Sequence, residues 1–105
     1  MNDDRSDESE EARAAPRAQI RAQADLREAG GGSRYKIDMI DISISGFRFE
    51  SANSIRTGLR GFVTLPGMQG LECVVAWEKN WIHGARFVQP LHPSVRDHIA
   101  ARFPR

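Results

Sequence analysis

The sequence has one cysteine and no long apolar run, and both absences limit what the chain can be. A lone Cys73 excludes an internal disulfide and a zinc site built from paired cysteines. No apolar stretch approaches the roughly 20 residues that a membrane-spanning helix needs. The polar, acidic residues 1–11 lack the features of a signal or transit peptide. We therefore expect a small cytoplasmic domain with no membrane segment.

Strong charge of one sign and aromatic residues are also scarce. The chain has 15 Lys and Arg against 14 Asp and Glu, and 8% of its residues are aromatic. A general DNA binder carries a dense basic stripe, and a single-strand binder stacks bases on exposed aromatics along a positive groove. A small-barrel RNA or single-stranded DNA binder therefore ranks last among the possible functions, and nucleic acid is not an expected partner.

Signatures of catalysis are missing as well. There is no glycine-rich phosphate loop before a helix, no nucleophile elbow and no evident Ser–His or Cys–His pairing. His83, His92 and His98 are scattered, with no cysteine or carboxylate at ligand spacing, so we expect no metal site. Cys73, in a strand that looks buried, is predicted to be inert core. We predict a protein that is not an enzyme and holds no cofactor.

The charges that are present are unevenly distributed. Residues 1–16 contain six acidic side chains, two arginines and no Val, Ile, Leu or aromatic residue. Such a segment has nothing to bury, so we predict a disordered acidic tail over residues 1–12 and a folded domain over residues 13–105. The rest of the chain is moderately basic, which favours an anionic partner.

Turn-forming residues divide the chain into short segments with β-strand character. Gly30-Gly31-Gly32-Ser33, Pro66-Gly67 and Lys79-Asn80 separate the candidate strands. Short strands at this spacing favour a small antiparallel barrel, and alternation within the fifth strand places Trp77 in the core. The predicted strands are 17–27, 34–43, 46–51, 59–65, 71–78 and 81–88.

The end of the chain changes to helical periodicity. Ser94 followed by Asp97 resembles a capping box with Ser94 as N-cap. Val95, Ile99 and Phe103 then recur every four residues and form one apolar stripe. A short helix is marginal alone, so the stripe must pack on the barrel or on a partner. The predicted fold is all-β: a six-stranded antiparallel barrel with a short C-terminal α-helix.

The segment 40–46, Ile-Asp-Ile-Ser-Ile-Ser-Gly, alternates apolar and polar residues. In a strand, Asp41, Ser43 and Ser45 share one face, and the three isoleucines, Ile40 among them, point to the core. Gly46 permits a positive φ or the close approach of a ligand to the backbone. By itself, the segment also fits a half-buried strand that ends in a turn.

Arg13 and Arg17 are separated by three residues just before the first strand. Pro16 biases its neighbour toward an extended conformation, so the two guanidiniums can converge on one anion. Each offers a planar fork that binds a phosphate or the O6/N7 edge of guanine with two hydrogen bonds. Arg17 and Arg21 have the same spacing, but Arg21 would fall inside the strand, so we prefer Arg13 and Arg17. Alone, such a pair also fits solvated charge.

Together the two segments resemble the motifs of the PilZ domain, a bacterial family that binds the second messenger cyclic di-GMP. Residues 13–17 (Arg-Ala-Ala-Pro-Arg) correspond to RxxxR, and residues 41–46 correspond to (D/N)xSxxG. The similarity continues in Val75-Ala76-Trp77 and Gly84-Ala85-Arg86-Phe87 and covers about residues 13–103. It implies a six-stranded barrel with a C-terminal helix that binds its ligand outside the barrel.

The resemblance also implies roles for individual residues. Arg13 and Arg17 would clamp phosphate and the guanine edge, and Asp41 would accept hydrogen bonds from guanine N–H groups. Ser43 would reach guanine or phosphate, and Gly46 would leave room for the ligand. The expected ligand is cyclic di-GMP, as one molecule or an intercalated dimer, with the signal passing to a downstream protein target. The alternative is a degenerate PilZ-like module that binds a protein partner without nucleotide.

Two nearby residues receive weaker predictions. Arg48 lies on the strand after Gly46, where it could add a guanidinium near the site, although a surface charge is the preferred interpretation. Trp81 lies beside Asn80 at a predicted hairpin tip and could face the ligand, the helix or a partner.

Overall fold

A computed structural model describes residues 17–105 of the chain. Arg13 and the predicted tail over residues 1–12 lie outside this range. The elements are β1 (Ala18–Glu28), β2 (Arg34–Ile42), β3 (Gly46–Glu50), β4 (Arg60–Thr64), β5 (Leu71–Lys79), β6 (Ile82–Phe87) and α1 (Pro93–Arg102). Each strand begins and ends within one residue of its predicted bounds. The prediction of a six-stranded barrel followed by a short helix is confirmed.

The strands close into an antiparallel barrel in the order β1-β2-β3-β6-β5-β4. Closure comes from β1, which pairs with β2 along its length and with β4 at its C-terminal end. Cys73 lies fully inside, and burial raises the pKa of its thiol to about 12. The thiol therefore stays protonated, in agreement with its predicted role as inert core. The largest fully buried hydrophobic side chains are Phe47, Phe49, Ile20, Leu26, Ile37, Met39, Ile42, Ile55, Leu59, Leu65 and Ile99.

Two β-bulges overturn predictions made from strict alternation. The pairing of β2 with β3 shifts register between Met39 and Asp41, and that of β5 with β6 shifts between Val75 and Trp77. One extra residue in a strand moves the side chains that follow to the opposite face. Ile40 is consequently only half-buried and Trp77 is 41% exposed, so their predicted core positions are wrong. Ile44, which follows β2, is also only half-buried, so of the three isoleucines only Ile42 lies in the core.

Helix α1 begins differently from the prediction. The N-cap is His92, whose Nδ1 accepts a hydrogen bond from the Ser94 backbone N–H at 3.1 Å. Pro93 occupies the first turn, where its missing N–H costs nothing and where it holds the preceding residue extended. The predicted Ser94 cap is therefore wrong, and Asp97 pairs with its neighbour Arg96 instead.

The apolar stripe of α1 packs on the barrel, which is one of the two predicted alternatives, the other being a partner. Ile99 is fully buried, and Val95 and Phe103 pack half-buried against the core. The Phe103 carbonyl accepts a hydrogen bond from the Arg21 backbone N–H at 3.1 Å, which ties the end of the helix to β1.

Candidate ligand-binding site

Asp41 lies at the C-terminal end of β2, paired with Gln19 of β1 on one side and Arg48 of β3 on the other. Its Oδ1 accepts from Arg17 Nη1 at 3.0 Å and from the Arg48 backbone N–H at 3.2 Å. Its Oδ2 accepts from Arg48 Nε at 2.6 Å and forms an ion pair with Arg48 Nη2 at 2.5 Å. The structure therefore brings together Arg17 and Asp41, two of the predicted site residues, and adds Arg48.

This carboxylate is covered but remains close to the surface. The Asp41 side chain is 1% exposed, whereas those of Arg17 and Arg48 are 38% and 40% exposed. A buried charge is tolerated when it is paired and hydrogen-bonded, and here both oxygens are used. The guanidinium of Arg48 covers Asp41, so Arg48 lies near the site, which is the less favoured of its two predicted positions, and is not only a surface charge.

Ser43 organises the turn that links β2 to β3. Its Oγ accepts from the backbone N–H groups of Ser45 at 3.2 Å and Gly46 at 3.3 Å, and its own N–H donates to the Gly46 carbonyl at 2.8 Å. Ser43 is fully buried, whereas Ser45 borders the open groove beside the turn. The contact of Ser43 with a ligand stays a prediction, and its observed contacts position the turn.

Gly46 is needed for close packing of two strands. Its φ is not positive, so the positive-φ interpretation is wrong. It pairs with Arg86 across β3 and β6, and a Cβ built on it would overlap the Ala85 carbonyl oxygen. Backbone atoms of β6 cannot yield as a flexible side chain would, so a larger residue would force the strands apart. Its predicted role of leaving room for a ligand stays a prediction.

A groove of about 230 Å³ opens on the outside of the barrel at this end. The indole of Trp77 lies against Gly84, where a Cβ would overlap the ring. One wall of the groove is therefore the Trp77 indole, which rests on the Gly84 backbone. The guanidinium-bearing residues Arg17, Arg48 and Arg86 also line the groove. The groove is lined by Arg17, Ser45, Gly46, Phe47, Arg48, Ala76, Trp77, Gly84, Ala85 and Arg86.

Reasoning from local patterns missed two residues that line the groove, Trp77 and Arg86. Trp77 reaches the groove through the bulge in β5, and Arg86 reaches it because β6 pairs with β3. Both residues belong to segments that carried the family resemblance, and this resemblance was the one indication in the sequence that they lie near the site. Arg13, the remaining predicted site residue, lies outside the described residues.

The arrangement suits a ligand that combines negative charge with a flat ring. Three guanidiniums can bind anionic oxygens, and an indole face can stack on a planar base. Within residues 17–105, no group of three or more His, Cys, Asp or Glu side chains is placed to hold a metal ion. The structure is therefore a closed antiparallel β-barrel with a groove on its outer surface.

The chain matches the family model of the PilZ domain over residues 11–103. That match covers most of the chain, so the chain belongs to the PilZ domain family, which is known for receptors of cyclic di-GMP. PilZ domains act as binding modules and are generally not enzymes. No curated protein matches the chain. No helix among the described residues is long and apolar enough to cross a membrane.

Proposed function

We propose that the protein is a cytoplasmic receptor for cyclic di-GMP that binds this ligand without catalysis and signals to a downstream protein. The observation that carries the proposal is the buried Asp41 carboxylate, held by Arg17 and Arg48 at the edge of a groove walled by Trp77. Guanine presents N–H donors that fit a carboxylate and an O6/N7 edge that fits a guanidinium. The two phosphates of the ligand supply charge for the remaining arginines.

Binding would proceed by exchange of partners at Asp41. A carboxylate has about four acceptor sites, and in the free chain the two oxygens receive donors from Arg17 and Arg48. Guanine N–H groups would replace side-chain donors on Asp41, and the released guanidinium would turn to a phosphate or to the O6/N7 edge. Hydrogen bonds are conserved in number, so the exchange avoids the penalty of an unpaired buried charge.

Trp77 and the two glycines would hold the base. The indole is 41% exposed in the free chain and borders the groove. Stacking of a base on an aromatic side chain contributes about 1–3 kcal/mol. Gly84 makes room for the indole, and Gly46 lines the groove without a side chain, so a flat ligand can approach closely.

Arg13 would complete the site from the segment that precedes β1. Its separation from Arg17 by three residues allows both guanidiniums to bind one phosphate. The ligand would then hold the Arg13–Arg17 segment against β2, and a downstream protein would read this surface. This Arg clasp is the proposed route from ligand binding to signal.

Calorimetric titration with cyclic di-GMP, cyclic di-AMP, GTP and a short oligonucleotide tests the proposal. Adenine places an acceptor where guanine offers N1–H, so Asp41 would meet a lone pair instead of a donor. We expect cyclic di-AMP to bind at least about tenfold more weakly than cyclic di-GMP, roughly 1.4 kcal/mol. Equal affinities would overturn the role of Asp41. Absence of nucleotide binding would favour the interaction-module alternative.

A further inference from the structure

The turn between β5 and β6 holds a large side chain where glycine is favoured. Asn80 and Trp81 have φ values of 52° and 71°, and they connect the paired residues Lys79 and Ile82. Two-residue hairpin turns with positive φ at both positions strongly prefer Asn-Gly. A bulky residue in this conformation is strained, and the Trp81 side chain is also 60% exposed. Folding of the isolated barrel therefore gives no reason for a tryptophan here.

Acidic side chains lie beside this tryptophan. Asp38 and Glu50 are paired directly across β2 and β3, and like charges in such a pair repel. The Trp81 carbonyl accepts from the Ser51 backbone N–H at 3.3 Å, which holds the turn against the end of β3. A groove of about 580 Å³ is lined by Asp38, Glu50, Ser51, Ala52, Asn80 and Trp81.

The two carboxylates have no ion-pair partner among residues 17–105. Arg21 and Arg105 line a neighbouring hollow that shares Asp38 and Glu50, but neither pairs with these carboxylates. Asp41, in contrast, is fully bonded at the other end of β3. The acidic charge beside Trp81 is thus available to a cation from outside the described chain.

We propose that Asp38, Glu50 and Trp81, here called the Trp81 surface, bind an arginine- or lysine-bearing segment of a partner protein. A guanidinium over the indole face gains a cation–π contact while its N–H groups reach the carboxylates. Strain, exposure of the ring and like-charge repulsion are unfavourable in the isolated barrel, and a bound cation offsets the last two. Arginine fits better than lysine because its planar fork both stacks and binds two oxygens.

The fold determines how such a partner is recognised. The barrel is closed, so a partner strand finds no free sheet edge among these strands and must be held through side chains. β3 begins at Gly46 in the ligand groove and ends at Glu50 on the Trp81 surface. The two surfaces share no lining residue, so cyclic di-GMP and the partner segment can bind together.

Titration of the full chain by NMR with three capped peptides tests the proposal: Gly-Arg-Gly-Arg-Gly, its lysine analogue and its glutamate analogue. We expect the arginine peptide to shift the Trp81 indole N–H and the backbone amides of Glu50, Ser51 and Asn80. The lysine peptide should shift the same signals more weakly. Equal shifts with the glutamate peptide would overturn the assignment, because repulsion by Asp38 and Glu50 excludes it.

Variants separate binding from folding. Asp38→Asn/Glu50→Gln and Trp81→Gly should each weaken the arginine peptide about fivefold or more. Trp81→Gly creates the preferred Asn-Gly turn, so its Tm should equal or exceed that of the parent. Asp97→Asn removes an exposed acid of α1 and should change peptide affinity less than twofold.

Two further outcomes would overturn the proposal. One is unchanged peptide affinity in both the Trp81→Gly and the Asp38→Asn/Glu50→Gln variants. The other is a Trp81 signal that moves on dilution of the protein without peptide, because this would identify a second copy of the chain as the occupant. Trp81→Gly should leave cyclic di-GMP binding unchanged, so this proposal and the proposed function can fail separately.

Discussion

The groove at the start of β3 and the Trp81 surface at its end differ in how their carboxylates are paired. In the groove, Asp41 is buried and both its oxygens are hydrogen-bonded to arginines. On the Trp81 surface, Asp38 and Glu50 face each other across two strands without a cation from the described residues. A ligand in the groove must replace existing bonds, which favours selectivity, whereas a cation at the Trp81 surface adds bonds to groups that have none.

The two tryptophans of the β5–β6 hairpin show the same contrast. Trp77 rests on Gly84 because a bulge turns it outward onto the barrel surface. Trp81 occupies the turn itself, with a positive φ and 60% of its side chain exposed. The Trp77 ring forms part of the groove wall, and the Trp81 ring projects from the turn. Substitutions at each region should therefore have different effects on stability and binding.

The largest effect is expected from Asp41→Asn. Arg17 and Arg48 would lose their shared charged acceptor, so the free energy of unfolding should fall by about 1–3 kcal/mol. Affinity for cyclic di-GMP should fall about 100-fold or more, because the amide presents an N–H group to the guanine donors. Denaturant unfolding and calorimetry measure the two effects.

The matched control is Asp25→Asn, which removes a carboxylate 3.4 Å from Lys36 on the exposed face of β1. Such pairs contribute little, so stability should change by less than about 1 kcal/mol and affinity should not change. Equal losses in both variants would show that Asp41 acts only through the net charge.

Arg17→Ala should reduce affinity for cyclic di-GMP about 10- to 150-fold, or roughly 1.5–3 kcal/mol. Because Arg17 also donates to Asp41 in the free chain, Tm should fall by a few degrees. Arg17→Lys should recover little affinity, since an ammonium lacks the two-pronged geometry. Full recovery by lysine, measured by calorimetry, would show that only charge is needed at this position.

Trp77→Ala should weaken cyclic di-GMP about tenfold by removing the stacking face of the groove. Trp81→Ala is the matched control, because it removes the same ring from the same hairpin but outside the groove. It should change nucleotide affinity less than twofold. If both substitutions weaken the nucleotide equally, the ligand extends beyond the groove and the two regions are not separate sites.

The smallest effect is expected from Glu50→Lys, with the opposite sign. It replaces a like-charge pair with an opposite-charge pair across β2 and β3, which should stabilise the fold by about 0.2–1 kcal/mol. Nucleotide affinity should not change, and binding of the arginine peptide should weaken. A loss of stability in denaturant unfolding would mean that Asp38 and Glu50 are already satisfied.

Local patterns were sufficient to predict the architecture. The predicted bounds of every strand agree with the structure within one residue, and the four-residue spacing of Val95, Ile99 and Phe103 predicted the packed helix. Both signals depend on neighbours in the chain, where backbone preference and side-chain period act directly. The structure also places Arg17 of the first motif beside Asp41 of the second, and the ligand contacts of both stay predictions.

Details of the site depended on contacts between strands. The bulges at Met39/Asp41 and Val75/Trp77 follow from how strands pair, and each reverses the face on which nearby side chains lie. The first bulge sets the register in which Arg48 lies opposite Asp41, and the second turns Trp77 out of the core to face the groove. An alternation of apolar and polar residues cannot reveal a β-bulge, because the extra residue is defined only by its pairing with the neighbouring strand. The strands and the helix could therefore be predicted from the local sequence. Which side chains line the groove was decided by strand register in the tertiary structure.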